Sequence, residues 1–134
     1  IGAEFMHHVH ADDVAQAFEL AIAHRDAAAG EDFTVTAATA LNVRGLAEIG
    51  AAWFGRTANL RMVTWDEFRR ITSEDAYDAS WNHLVRDHCF SIGKARARLG
   101  YTPRYEPEEA VLAGVRWLIE HGQLEVAAPL VQPS

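Results

Sequence analysis

The stretch Cys89–Gly122 contains the clearest helix boundaries in the chain. A short helix carrying Lys94 is predicted to end at Leu99-Gly100, because glycine accepts the left-handed conformation that closes many helices. Pro107 then opens a second helix that runs to Gly122, since proline suits the first helical position. Any fold of this chain must therefore contain a short helix, a connection with an aromatic, a proline and a basic residue, and a longer amphipathic helix.

Earlier segments add further helices and two strands. Asp12 or Asp13 is predicted to cap a helix after an extended stretch, because a carboxylate can accept a free N–H of the first turn. Residues 32–36 (DFTVT) and 59–64 (NLRMVT) are predicted strands, since both are rich in β-branched residues. Further caps are predicted at Asn42, Thr64 with Glu67, Ser73 and Ser91. The predicted fold class is α/β, mostly helical with two or three short strands.

The apolar spacing predicts which faces are buried. The first helix carries one apolar stripe, and the last helix carries another; we expect both stripes to form one core with residues of the central helices. The residues concerned are Val14, Phe18, Ala21 and Ile22, then Leu46, Trp53 and Leu99, then Val111, Leu112, Val115, Leu118 and Ile119.

Length and charge limit the classes of function. At 134 residues we expect one domain, and a formal charge of −7 argues against a nucleic-acid or anionic-membrane partner. The single cysteine, Cys89, excludes an internal disulfide, and no apolar run approaches a membrane span, so we expect a cytoplasmic protein. Residues 1–5 are interpreted as derived from an expression vector, residues 6–124 as the domain, and residues 125–134 as a flexible tail.

Two segments, HHVHADDVAQAFELAIAH from His7 to His24 and Cys89–Gly122, resemble the closing part of extended short-chain dehydrogenase/reductases, the NAD-dependent sugar epimerase/dehydratase family. The resemblance runs from Met6 to about Leu124. It implies the C-terminal, substrate-binding subdomain of that fold, with NAD(P) as the cofactor of the full-length family. The Rossmann half is absent, since no G-x-x-G-x-x-G or G-x-G-x-x-G pattern occurs and no tyrosine has a lysine four residues later. We therefore expect no catalytic residue and no bound cofactor in this chain.

The resemblance implies the substrate-binding portion of a nucleotide-sugar epimerase or dehydratase, not catalytic on its own. Its ligand would be a sugar nucleotide or a related small molecule. The candidate substrate-binding residues are His8, His10, Trp81, Arg86, Ser91 and Lys94. Members of the family that bind UDP-sugars commonly have an acidic residue three positions before the lysine, where this chain has Ser91. Because the apolar residues that would cover the missing sheet are left exposed, we also expect a homo-oligomer, of which a twofold dimer is the simplest closed form. The alternative is a stand-alone self-associating or ligand-binding module without enzyme activity.

Structural explanations compete with each of these chemical interpretations. His8, His10 and Asp12 could hold a metal ion, but no fourth ligand stands at a diagnostic spacing, so we expect none. Asp12 and Asp13 could form an acid/base pair, although adjacent residues at a helix start point in different directions. Capping explains Ser91, solvation explains Lys94, and Trp65, Tyr77 and Trp81 suit a core as well as a pocket. Cys89 is predicted to be a buried structural thiol.

Overall fold

The computed structural model describes residues 1–131 and divides the chain into two compact units. Unit 1 contains Ile1–Met6, Leu41–His88 and the chain from Val126; unit 2 contains His7–Ala40 and Cys89–Glu125. The helices are α1 (Ala11–Ala23), α2 (Arg25–Ala28), α3 (Val43–Trp53), α4 (Trp65–Ile71), α5 (Glu74–Leu84), α6 (Gly93–Leu99) and α7 (Pro107–Glu120). The strands are β1 (Phe5–Met6) and β2 (Leu41–Asn42). The predicted class, mostly helical with few short strands, is confirmed at this level.

Both predicted strands are wrong. Residues 32–36 and 59–64 carry no ladder, and the sheet of the described residues is the antiparallel pair of β1 and β2 in unit 1. Its register places Phe5 opposite Asn42 and Met6 opposite Leu41. β-branched residues favour a strand only where a second strand pairs with it, and neither segment has such a partner here. Phe5, which lies outside the domain predicted from the sequence, takes part in this sheet through its pairing with Asn42.

Local capping chemistry sets most helix boundaries as predicted. The side chains of Asn42, Thr64 and Ser73 accept the N–H groups of Gly45, Glu67 and Ala76, and so cap α3, α4 and α5. Gly100 closes α6 at φ 74°, in the left-handed region. Pro107 opens α7, where the Glu106 and Glu109 side chains form a capping box. Ser91 lies one residue before the observed cap of α6, and its hydroxyl accepts the Gly93 N–H at 3.1 Å.

The core of unit 2 differs from the predicted apolar stripe. Ala17, Ile92, Ala95 and Tyr101 form the buried cluster, and Leu20, Phe33 and Val35 pack against it. The predicted α1 stripe is wrong at its outer positions, because Phe18 is 69% exposed and Ile22 is 79% exposed. The residues expected to share one core are divided between the units: Leu46 and Trp53 belong to unit 1, whereas Leu99 and Leu112 are buried in unit 2.

The structure describes the predicted tail, residues 125–134, as far as Val131. The Val131 N–H donates to the carbonyl of Trp53 at 2.7 Å, within unit 1. Residues 132–134, the end of the predicted tail, lie outside the described residues. No helix within residues 1–131 is both long and apolar enough to cross a membrane.

Candidate functional site

The start of α1 is built around a buried carboxylate. Asp13 is fully buried, and its Oδ1 and Oδ2 accept the backbone N–H groups of Arg104 at 3.0 Å and Tyr105 at 3.2 Å. The Arg104 Nε lies 3.4 Å from the same carboxylate. We call Asp13, Arg104 and Tyr105 the Asp13 junction. It joins the first turn of α1 to the connection between α6 and α7, within unit 2.

The predicted cap of α1 is wrong, because His10 takes this role. His10 has extended backbone angles, and its Nδ1 accepts the Asp12 N–H at 3.2 Å. Its ring stacks on Tyr105 with centroids 3.8 Å apart, and the Tyr105 hydroxyl donates to Asp12 Oδ2 at 3.2 Å. Asp13 is withdrawn from capping because its oxygens are used by the α6–α7 connection. Asp12 and Asp13 thus have separate partners and do not form an acid/base pair.

Tyr101 completes the buried side of this region. Its ring is fully buried, and its hydroxyl donates to the Thr36 carbonyl at 2.9 Å. Burial and, to a smaller extent, the negative charge of Asp13 together raise the pKa of Tyr101 to about 12. The phenol is therefore neutral over the ordinary pH range and acts as a hydrogen-bond donor. The geometry of Asp13 and Tyr101 positions backbone segments rather than moving protons.

Lys94 and Ser91 are committed to contacts inside unit 2. Lys94 Nζ lies 2.9 Å from Glu31 Oε2 and 3.7 Å from Asp32 Oδ1, and Arg98 donates to Glu31 Oε1 at 2.7 Å. The hydrogen bond to Glu31 raises the pKa of Lys94, and the bonds from Lys94 and Arg98 lower the pKa of Glu31. A phosphate at Lys94 would have to compete with both carboxylates.

The histidines before α1 also have backbone partners. His7 Nδ1 accepts the Phe90 N–H at 3.0 Å, so its Nε2 donates to the Ala37 carbonyl, also at 3.0 Å. The His8 carbonyl accepts the Ala37 N–H at 3.1 Å, and the His8 side chain is half-buried. In the described part of the chain, no group of three or more His, Cys, Asp or Glu side chains could hold a metal ion.

Two predicted site residues, Trp81 and Arg86, lie in unit 1, and Trp81 belongs to an aromatic cluster there. The rings of Trp65, Phe68, Tyr77 and Trp81 contact one another across α4 and α5, with Trp65 and Trp81 centroids 5.1 Å apart. Tyr77 stacks on Trp81 at 5.9 Å, and Trp81 remains 37% exposed. Arg86 is exposed two residues beyond the end of α5. The cluster is a half-buried aromatic surface: its rings pack on one another as in a core, and Trp81 remains partly open to solvent as in a pocket wall.

The structure therefore places the six predicted site residues in two units. His8, His10, Ser91 and Lys94 lie in unit 2, whereas Trp81 and Arg86 lie in unit 1. Cys89 is exposed, so the prediction of a buried thiol is wrong; it lies in the irregular connection before α6, where no helix face covers it. Sequence reasoning missed the role of Asp13 and Tyr105, because their contact spans 92 residues and leaves no local pattern.

Comparison with known proteins adds no relative to this picture: no family model, no curated protein and no solved structure matches the chain.

Proposed function

We propose that the chain is the substrate-binding portion of an NAD-dependent nucleotide-sugar epimerase/dehydratase-like protein. Its ligand is a sugar nucleotide or a related small molecule, and the chain transfers no hydride on its own. The observation that carries the proposal is the Asp13 junction. The two segments whose sequences resemble the family come together there, with Asp13 accepting the N–H groups of Arg104 and Tyr105. Segments that resemble one family and also contact each other support a common origin better than either segment alone.

The local geometry of the second segment, Cys89–Gly122, agrees with the same proposal. Gly100 in the left-handed conformation ends α6 directly after the buried Leu99, and Tyr101 then enters the core. Pro107 opens α7 six residues later, fully buried at the first helical position. Leu99, Gly100, Tyr101 and Pro107 therefore each have a structural role, which is expected if the pattern reflects a shared fold.

The surface best suited to a ligand is the aromatic cluster of unit 1. The exposed part of Trp81 offers a flat face on which a base or the apolar face of a sugar can stack. Arg86 supplies an exposed guanidinium in the same unit, and guanidinium groups bind phosphate through paired N–H donors. Lys94 and Ser91 contribute less to this proposal, because their polar atoms already have partners in unit 2.

Calorimetric titration with a panel of nucleoside diphosphate sugars, and separately with NADH and NADPH, tests the proposal. We expect one class of sugar nucleotide to bind and neither reduced cofactor to bind at micromolar concentration, because no glycine-rich turn is present to hold the pyrophosphate. Trp81→Ala should weaken binding about tenfold or more, since stacking on an aromatic ring contributes about 1–3 kcal/mol per base.

Trp117→Ala provides a matched control. Trp117 is also partly exposed, at 49%, but it lies on α7 in unit 2, so its removal should leave the affinity unchanged. Arg86→Ala should weaken binding of the diphosphate sugars, and Arg116→Ala, on exposed α7 surface, should not. Failure of every sugar nucleotide to bind at millimolar concentration, or micromolar binding of NADH, would contradict the proposal.

A further inference from the structure

His7 holds backbone groups of unit 2 with both of its ring nitrogens. A backbone N–H can only donate, so Nδ1 accepts the Phe90 N–H, at 3.0 Å, through its lone pair. Nε2 therefore carries the ring proton and donates to the Ala37 carbonyl, also at 3.0 Å. We call these two hydrogen bonds the His7 bridge.

The bridge joins the two stretches of chain from which unit 2 is built. His7 and Ala37 lie in the stretch His7–Ala40, whereas Phe90 lies in the stretch Cys89–Glu125. Each stretch begins where the chain enters unit 2, at His7 and at Cys89. The bond from the Phe90 N–H thus fastens the start of one stretch to the start of the other. The rings of His7 and Phe90 are also stacked, with centroids 6.3 Å apart.

Only the neutral imidazole can form the complete bridge. The charged ring carries a donor on each nitrogen, so its Nδ1 would present an N–H to the N–H of Phe90. The bond to the Ala37 carbonyl survives this change, because Nε2 remains a donor. The His7 side chain is half-buried, so solvent can deliver the proton. Histidine ordinarily gains its charge between about pH 8 and about pH 5.

Within residues 1–131, no carboxylate pairs with the ring of His7, whose hydrogen bonds and ring contact are those with Ala37 and Phe90. The titratable side chains that adjoin the bridge are His8, Cys89 beside Phe90, and Tyr101, which donates to the Thr36 carbonyl beside Ala37. Imidazoles, thiols and phenols carry no negative charge at acidic pH. The carboxylates closest to the bridge in sequence accept backbone N–H groups in unit 1; they are Glu4 and Asp87.

We propose that the His7 bridge makes unit 2 responsive to acid. Protonation of His7 breaks its bond to the Phe90 N–H, and the two stretches of unit 2 separate at this point. The stabilisation from the bridge is complete above the range in which histidine gains its proton and is lost as the pH falls through it, because the unfolded chain takes up the proton more readily than the bridged ring. This response does not depend on a sugar nucleotide, since Trp81 and Arg86 lie in unit 1.

His10 differs from His7 in the group that faces it. Its Nδ1 also accepts a backbone N–H, that of Asp12, at 3.2 Å. Here the Asp12 carboxylate lies 3.8 Å from the same nitrogen, so a charged ring gains an ion pair in place of the lost hydrogen bond. The neighbouring cation, Arg104, donates to the Asp12 carbonyl and to the Asp13 carboxylate. Acid therefore exchanges one contact for another at His10, whereas at His7 it removes a contact.

Amide hydrogen exchange, measured by NMR and corrected for the intrinsic pH dependence of exchange, tests the proposal. From about pH 8 to about pH 5, the protection of the Phe90 amide should fall about threefold to tenfold, as expected for the loss of one hydrogen bond. The Ala37 amide donates to the His8 carbonyl, outside the bridge, and its protection should change less.

His7→Asn separates this response from general acid effects. Asparagine keeps a side-chain acceptor near the position of Nδ1 and takes up no proton, so the protection of the Phe90 amide should become independent of pH. His10→Asn and His121→Asn remove histidines outside the bridge and should retain the response of the unaltered chain.

The ring tautomer gives a second measurement that needs no variant to fold. Nitrogen-15 NMR of the unaltered chain at about pH 8 should show the proton of His7 on Nε2 and none on Nδ1. A proton on Nδ1, a Phe90 amide whose protection is unchanged by acid, or an undiminished acid response in folded His7→Asn would each overturn the proposal.

Discussion

At the scale of single residues, Asp13 joins α1 to the α6–α7 connection through three hydrogen bonds, a role different from the capping predicted for it from the sequence. A fully buried carboxylate is tolerated only when hydrogen bonds and positive charge compensate it, and here two backbone N–H groups and the Arg104 guanidinium do so. The adjacent Asp12 has the same chemistry but is exposed. The two neighbours therefore offer a direct comparison of a buried and a solvated carboxylate.

Asp13→Ala should lower the free energy of unfolding by about 2–5 kcal/mol, because it leaves buried backbone donors and a guanidinium without their acceptor. Asp12→Ala should cost less than about 1 kcal/mol, since its contact with the Tyr105 hydroxyl is exposed. Urea unfolding followed by circular dichroism measures both. Equal losses for the two variants would show that the Asp13 junction does not stabilise the fold.

Tyr101 predicts a response to alkaline pH. Its pKa in the folded state is raised from 10.0 to about 12. Between these values the unfolded chain loses the proton while the folded chain keeps it, so the stability contributed by this group is full below pH 10 and is lost as the pH approaches 12. Urea unfolding across this range should show a steeper loss of stability in the unaltered chain than in Tyr101→Phe. Identical slopes would contradict the assignment.

At the scale of elements, local capping chemistry explains why most helix boundaries were predictable, with the starts of α1 and α6 as exceptions. Asn42, Thr64, Ser73, Gly100 and Pro107 act within a few residues of their own positions, so a sequence window contains the cause. At α1 the predicted cap was displaced because a contact distant in sequence claimed Asp13. The strands were mispredicted for a related reason. A strand forms only when a second strand pairs with it, and the sequence of residues 32–36 does not specify which segment that would be.

His10 provides a prediction at this scale. His10→Ala should lower the free energy of unfolding by about 0.5–2 kcal/mol, because the first turn of α1 loses the acceptor of the Asp12 N–H. His10→Asn restores a side-chain acceptor and should recover much of that loss, although it removes the ring stacked on Tyr105. Thermal unfolding of the three proteins checks the order. If the alanine variant were as stable as the asparagine variant, the cap would contribute nothing.

At the scale of the whole molecule, the chain passes between the two units repeatedly, because each unit is built from segments distant in sequence. The buried cluster of unit 2 contains Ala17 of α1, Ala95 of α6, and Ile92 and Tyr101 on either side of α6. Helices α4 and α5 contribute the aromatic cluster of unit 1. Each unit thus has its own set of packed side chains. Local opening is expected to follow such cooperative groups rather than the order of the chain.

Leu112→Ala tests this division. Leu112 is buried in unit 2, and its truncation should cost about 2–5 kcal/mol. Native-state hydrogen exchange should then accelerate more at the amides of α1 and α6 than at those of α3 and α5. Leu118→Ala, at a half-buried position of the same helix, should give a smaller effect. Uniform acceleration in both units would show that the chain opens as one cooperative body.

The sequence by itself determined the helical character, the caps and the turn from Gly100 to Pro107, because these depend on interactions between residues a few positions apart. Tertiary structure decided the rest. It withdrew Asp13 from capping, engaged Lys94 with Glu31, left Phe18 and Ile22 exposed, and divided the predicted site residues between two units. Contacts between residues that are about 60 to 90 positions apart in sequence depend on how the whole chain packs. The periodicity of one segment does not predict them.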